Sequence, residues 1–182
     1  GIYGDKSRTD NDYQVLLQYD TKNWKRYEHP LSQESMHKSG PAKPNGRYFV
    51  HTGNRNWGVQ NMEYDATRNL WFLATYETKK SNFADFTLFA IDGNIAPKKE
   101  ALQGVEYAKK QSVLTLSNLG ATDANHTDIH GWKFDKASTG IHALGDDYFY
   151  ISHRKRNKPF QSCTATLYRF TGDKSAPFVL IE

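Results

Sequence analysis

The stretch that decides the fold is GVQNMEYDATRNLWFLATYE, residues 58–77. Two runs of apolar and aromatic residues, 58–65 and 70–77, flank the polar segment 66–69. Short runs rich in Val, Thr, Tyr, Phe and Trp, bounded by turn-forming residues, are typical of strands joined by a tight turn. This stretch therefore predicts a β-hairpin.

The same pattern returns further along the chain. Residues 140–153 consist of an apolar run, a Gly-Asp-Asp turn and a second apolar run. In the sequence, 82 positions separate Gly58 from Gly140, and 79 positions separate Leu88 from Leu167 in the strands predicted to follow each hairpin. This nearly constant spacing indicates a duplicated unit.

Each unit is predicted to hold four antiparallel strands, with the fourth strands at 24–30, 112–117 and 178–181. Four such strands are typical of a β-propeller blade. The segment YDTKNW at 19–24 resembles the turn of kelch-type propeller blades, and GVQNME at 58–63 is similar to the inner strand of several extracellular propeller families. The resemblance implies an all-β fold built from propeller blades.

The whole chain, 1–182, is interpreted as a single propeller-type domain or a piece of one. Residues 1–31 would form the outer strands of one blade, 46–118 a second blade and 119–182 a third. A ring closes with at least about four blades, so a larger propeller, or another chain or segment, would have to complete it. The alternative fold is a β-sandwich made of the same strands, which needs no closure.

Composition excludes several classes of protein. Aromatic residues make up 14% of the chain, whereas disordered chains are poor in them. No apolar run approaches the roughly 20 residues that cross a bilayer, so no membrane span is expected. The net charge of +4 is modest and no known nucleic-acid-binding motif is present, which argues against a nucleic-acid partner. The single Cys163 excludes an internal disulfide, and a secreted or periplasmic location is slightly favoured over a cytosolic one.

In a propeller, the loops that lead into the inner strands cluster on one face. The loop 51–61 is rich in amide and aromatic side chains, and the basic segment 153–158 is predicted to be a loop on the same face. Gln60 and His142 occupy matched positions of the two units and should both point to the central channel. The predicted ligand-binding residues are His51, Asn54, Arg55, Trp57, Gln60, Asn61, His130, His142 and Arg154.

These residues predict binding of a polar small molecule or glycan, with an anionic ligand as one version, at the channel mouth. His126, Asp128 and His130 alternate in the sequence, so they would share one face of an extended segment and could bind a divalent metal ion. Two alternatives remain open at this stage. One is a hydrolase acting on glycans or phosphoesters, metal-assisted in one version and with unassigned catalytic residues. The other is a structural or protein-interaction module.

Overall fold

The computed structural model of the protein describes residues 12–34, 36, 39–53, 58–77, 82–105 and 109–182. Within these ranges the protein is all-β, with a 3-10 helix at Trp24–Tyr27 and no α-helix. None of the helical structure described is long and apolar enough to cross a membrane. The strands are β1 (Tyr13–Gln18), β2 (Gly46–His51), β3 (Val59–Asp65), β4 (Leu70–Thr75), β5 (Leu88–Asp92), β6 (Lys98–Glu100), β7 (Gln111–Leu114), β8 (Ala121–Thr122), β9 (His130–Gly131), β10 (Gly140–Gly145), β11 (Tyr148–Asn157), β12 (Phe160–Phe170) and β13 (Phe178–Leu180).

The strands form four separate sheets, with the orders β1-β2-β7-β6, β3-β4-β5, β10-β11-β12-β13 and β8-β9. Both predicted hairpins are present as antiparallel pairs, β3 with β4 and β10 with β11. None of these sheets closes on itself, and the described ranges show no propeller topology. The predicted propeller, and with it the resemblance to kelch-type blades, is therefore wrong.

Two of the predicted fourth strands show why the propeller prediction failed. The segment 24–30 contains the 3-10 helix in place of a strand. The segment 112–117 was expected to complete the sheet of β3, β4 and β5. Its second half does pair with β5, through an antiparallel bridge between Ile91 and Leu116, but its first half belongs to β7, which lies between β2, to which it is parallel, and β6. Local apolar patterns identify strands, whereas the choice of neighbouring strand depends on distant residues. The single-domain interpretation of the chain stays a prediction.

Strands β4 and β5 are apolar at almost every position because both of their faces are covered. Phe72 and Ala74 belong to one hydrophobic core, together with residues of β10 to β13. Leu73, between them in β4, belongs to a second core that includes Val50 of β2. Successive side chains of a strand point to opposite faces, so the sheet of β3, β4 and β5 is the middle layer of three.

Buried and exposed side chains alternate along strands β10 and β11 because only one face of these strands is covered. Phe149 and Ile151 are buried in the core shared with the middle sheet, whereas Tyr148 and Tyr150 remain 38% and 47% exposed. Trp71 on β4 is likewise 37% exposed, and its ring lies against Tyr64, with ring centroids 4.5 Å apart.

A side chain of one hairpin turn, between β3 and β4, is hydrogen-bonded to the other, between β10 and β11. Gly145, Asp146 and Asp147 all have positive φ in the turn between β10 and β11, which suits Gly and Asp. Arg68, in the turn between β3 and β4, donates hydrogen bonds both to Asp65 (Nη1 to Oδ2, 2.9 Å) and to the Asp147 carboxylate. Equivalent turns of the two hairpins thus meet through one guanidinium group.

The basic segment 153–158 is mostly strand, contrary to the prediction of a loop. Strand β11 continues to Asn157 and pairs with β12 from Phe160 onward, which extends the hairpin well beyond β10. Cys163 lies on this extension and is exposed. The extension places His153 and Arg154 on a strand, and the segment 135–139 leads into β10 beside them.

Candidate functional site

Buried polar side chains of the described residues concentrate near the end of β2. Buried polar groups are rare in folded proteins unless they are hydrogen-bonded, and they cluster at functional sites. Gln14 and Thr52, for example, are hydrogen-bonded to each other through Nε2 and Oγ1 at 3.4 Å. The buried polar residues in this region are Asp12, Gln14, His51, Thr52 and Asp123.

His51 is held between an aromatic ring and a carboxylate. Its ring stacks on Tyr13, with centroids 4.6 Å apart, and its Nδ1 donates to Oδ2 of Asp128 at 2.7 Å. The hydrogen bond from His51 lowers the pKa of Asp128, although partial burial of the carboxyl opposes this shift. His51 is only 5% exposed, so its orientation is well defined.

His126 forms a second histidine–carboxylate pair beside the first. Its ring stacks on Phe83 at 4.0 Å, lies edge-on to His51 at 6.0 Å, and has Nδ1 3.3 Å from Oδ1 of Asp123. Burial opposes ionisation of Asp123, but hydrogen bonds from the backbone N–H groups of Ala84 and Asn125 outweigh it, and the pKa of Asp123 is lowered. Both carboxylates are therefore charged at neutral pH.

The two pairs have the arrangement that orients imidazoles for acid–base chemistry, in which a carboxylate holds one ring nitrogen and leaves the other for a substrate or water. The sequence placed His51, His126 and Asp128 among its candidates, and the structure brings these three together. The hydrolase alternative stays a prediction.

The predicted metal ligands have separate partners. Asp128 pairs with His51, His126 pairs with Asp123, and His130 Nδ1 is hydrogen-bonded to Oγ1 of Thr122 at 3.1 Å across β8 and β9. In the described part of the chain, no group of three or more His, Cys, Asp or Glu side chains could hold a metal ion. The divalent metal stays a prediction that this geometry does not support.

Gln60 and His142, which occupy matched positions of the two units, are hydrogen-bonded to different groups. Gln60 Nε2 donates to the carbonyl oxygen of Gly58 at 3.0 Å. His142, which is exposed, has Nδ1 3.0 Å from Oε1 of Glu63 on β3. Each side chain therefore has its own partner in the structure.

Asn61 fixes the segment that leads into β10. Its Nδ2 donates to the carbonyl oxygens of Ala137 and Ser138, at 3.2 and 2.6 Å. One amide on β3 therefore holds the backbone of a segment 76 and 77 positions away in the sequence. This segment forms one wall of the pocket described next.

Arg154 lines an open polar pocket of about 270 Å³. The pocket lies where the end of β4, the segment before β10 and the extended part of β11 meet, and we call it the Arg154 pocket. It is lined by Tyr76, Asp135, Lys136, Ser138, Thr139, His153 and Arg154.

Residues with positive and hydrogen-bonding side chains line this pocket. Lys136 Nζ donates to the hydroxyl of Tyr168 at 3.3 Å, and the same hydroxyl is hydrogen-bonded to His153 Nε2 at 3.1 Å. Partial burial, and then the charge of Lys136, lower the pKa of His153. His153 is therefore neutral at pH 7.

Sequence reasoning found Arg154 but missed Lys136, Tyr76 and His153. These residues come from three different elements, and no short motif connects them. The only linear signal was the density of basic residues at 153–158, which was assigned to a loop. Asn54, Arg55 and Trp57, three further predicted ligand-binding residues, lie outside the described residues.

Comparison with known proteins assigns this chain to no family. No family model matches it, and neither the curated proteins nor the solved structures give a match.

Proposed function

We propose that the protein binds a small polar molecule with one anionic group, such as a carboxylate, sulfate or phosphate, in the Arg154 pocket. The observation that supports this proposal is that Lys136, His153 and Arg154, from two separate parts of the chain, line one pocket. Small-molecule sites are concave and use a few well-placed polar groups to orient the ligand.

The charges of the pocket favour an anion. Lys136 and Arg154 supply two positive charges, against the single carboxylate of Asp135. A guanidinium group can bind two oxygens of a carboxylate, sulfate or phosphate at once, and an ammonium group adds a point charge. The hydroxyl groups of Ser138 and Thr139 provide further donors beside these cations.

The size of the pocket restricts the ligand. Its volume of about 270 Å³ is slightly below the roughly 300–1,000 Å³ typical of ligand sites. The ligand is therefore one anionic group on a small body, not a long chain. Asn61 acts as a positioning residue, because it holds the backbone that carries Ser138.

Isothermal titration calorimetry with glucuronate, glucose 6-phosphate and uncharged glucose tests the proposal. We expect at least one of the two anions to bind and glucose not to bind. Arg154→Gln and Lys136→Gln should each raise the Kd of that anion by about tenfold or more. Arg156→Gln, which removes an exposed cation of the same strand outside the pocket, should change it by less than about twofold.

Equal weakening of anion binding by Arg156→Gln would show general attraction to a basic surface and would contradict the proposal. The proposal would also be contradicted if neither of the two anions binds. A second readout is specific to this pocket. A bound anion offsets the charge of Lys136, so the pKa of His153 measured by NMR should rise when the anion is added.

A further inference from the structure

Three aromatic residues, Tyr19, Trp24 and Tyr27, lie in or next to the 3-10 helix Trp24–Tyr27. Trp24 and Tyr27 are three residues apart, and residues at this spacing lie on the same side of a 3-10 helix. None of the four residues of the helix is buried. Trp24 is 49% exposed and Tyr19, which precedes the helix, is 38% exposed.

These rings line a second pocket, of about 550 Å³, which we call the aromatic pocket. Its volume is within the roughly 300–1,000 Å³ typical of small-molecule sites. The segment 39–41 also lines this pocket. The lining residues are Tyr19, Trp24, Tyr27, Glu28, His29, Ser39, Gly40 and Pro41.

The aromatic rings do not belong to either hydrophobic core, so core packing does not explain them. Large exposed aromatic side chains leave apolar area in contact with water, and a ligand that covers this area gains free energy. Around the rings, Glu28 provides acceptors, Ser39 a hydroxyl group and His29 an imidazole. The pocket therefore combines flat apolar faces with polar groups of both kinds.

We propose that the aromatic pocket binds a neutral pyranose ring of an oligosaccharide. The C–H face of a pyranose is apolar and matches the face of an indole or phenol ring, while its hydroxyl groups need both donors and acceptors. The proposal is independent of the function proposed for the Arg154 pocket, since the two pockets share no residue.

The local charges disfavour the other ligand that aromatic pockets commonly bind, an organic cation. The guanidinium of Arg26 already lies over the Tyr27 ring, 4.7 Å from its centroid, and donates to the Tyr27 hydroxyl at 2.6 Å. An ammonium ligand would be repelled by this guanidinium at the Tyr27 ring. The Glu28 carboxylate, which lines the pocket, disfavours an anionic sugar.

The test is calorimetric titration of the protein with cellopentaose, xylopentaose, mannopentaose and maltopentaose, with choline as the organic cation. We expect at least one oligosaccharide to bind with a Kd of about 1 mM or tighter. Trp24→Ala should weaken this binding by about tenfold or more, and Trp24→Phe, which keeps an aromatic face, should weaken it less.

Two controls separate this site from others. Trp71→Ala removes another partly exposed tryptophan outside the pocket, and Arg154→Gln removes the proposed anion site. Both should leave oligosaccharide binding within about twofold. Circular dichroism confirms that each variant is folded.

Three results would overturn the proposal. The first is that none of the four oligosaccharides binds, the second is that choline binds in their place, and the third is that Trp24→Ala and Trp71→Ala weaken binding equally. If no anion binds in the Arg154 pocket, the oligosaccharide titration of the aromatic pocket is unaffected, so the two proposals can be tested separately.

Discussion

Asp123 is a buried carboxylate that holds two separate loop segments together. Its Oδ1 accepts hydrogen bonds from the backbone N–H groups of Asn125 and His126, at 2.7 and 3.0 Å, and its Oδ2 accepts one from Ala84. The residue is 1% exposed, so these N–H groups depend on the carboxylate for their acceptor. Asp123 therefore supports the cluster around His51 and His126.

At the scale of this residue, we expect Asp123→Ala to lower the free energy of unfolding by at least about 2 kcal/mol at neutral pH. The reason is that several buried N–H groups would lose their acceptor, and each unsatisfied group costs about 1–3 kcal/mol. Urea denaturation measures the change. Asp135→Ala, which removes an exposed aspartate, should cost less than about 0.5 kcal/mol, and equal losses in the two variants would contradict the prediction.

The same carboxylates predict a dependence of stability on pH. The pKa values of Asp123 and Asp128 are lowered in the folded protein, so their contribution is fully present above the unfolded value of about 4. It is lost as the pH falls through their folded pKa values. The wild-type protein should therefore lose stability below about pH 4, and Asp123→Ala should lose less over the same interval. If the free energy of unfolding falls equally with decreasing pH in the wild type and in Asp123→Ala, the prediction is wrong.

At the scale of elements, Glu63 connects the edges of two sheets. Its Oε1 accepts a hydrogen bond from the backbone N–H of Ala143 at 2.8 Å, and the His142 ring is 3.0 Å away. Strands β3 and β10 are the first strands of their sheets, and the carboxylate supplies β10 with an acceptor where a further strand would otherwise provide one. Arg68 makes a similar connection between the two hairpin turns.

We expect Glu63→Ala to destabilise the protein by about 1–3 kcal/mol, because the N–H of Ala143 loses its acceptor. Hydrogen exchange at the Ala143 amide should accelerate in the same variant. Glu63→Gln retains an acceptor oxygen and should lose less. Removal of an exposed glutamate from β6 by Glu100→Ala is the matched control, and unchanged exchange at Ala143 in Glu63→Ala would show that the contact is unimportant.

At the scale of the whole molecule, the middle sheet joins the two cores. Phe72 on β4 has no exposed area and lies among aromatic rings of the β10 to β13 sheet, with centroids 5.6 Å from Phe149, 5.2 Å from Phe170 and 5.8 Å from Phe178. The Arg154 pocket lies at the junction of these two sheets, since Tyr76 follows β4 and Arg154 is on β11. Packing of the sheets therefore determines the shape of the pocket.

Phe72→Ala should lower the free energy of unfolding by about 3–5 kcal/mol, because it removes a large buried ring and leaves a cavity. Its neighbour Trp71, which points away from this core and is 37% exposed, provides the control. Trp71→Ala should cost clearly less in the same denaturation experiment. A loss below about 1 kcal/mol for Phe72→Ala would show that the two sheets do not depend on this contact.

Part of the candidate site was predictable from the sequence. His51, His126 and Asp128 were singled out by residue type, and the structure places them together. The pairing of His51 with Asp128 across 77 positions was not predicted, since no local pattern encodes it. Of the seven residues that line the Arg154 pocket, the sequence singled out only Arg154. Lys136 was missed because its place in the pocket depends on a long-range contact, in which Asn61 on β3 holds the backbone of the segment that contains Lys136.

The sequence by itself determined the two hairpins and their turns, because apolar periodicity and turn residues act over only a few neighbouring positions. The tertiary structure alone decided how these hairpins and the other strands combine into sheets and layers. Strand β7 pairs with β2 through contacts about 60 positions apart, and the layers formed in this way contradict the propeller that the repeat suggested. Local patterns are equally satisfied by several sheet arrangements, and the packing of both faces of the middle sheet selects one of them.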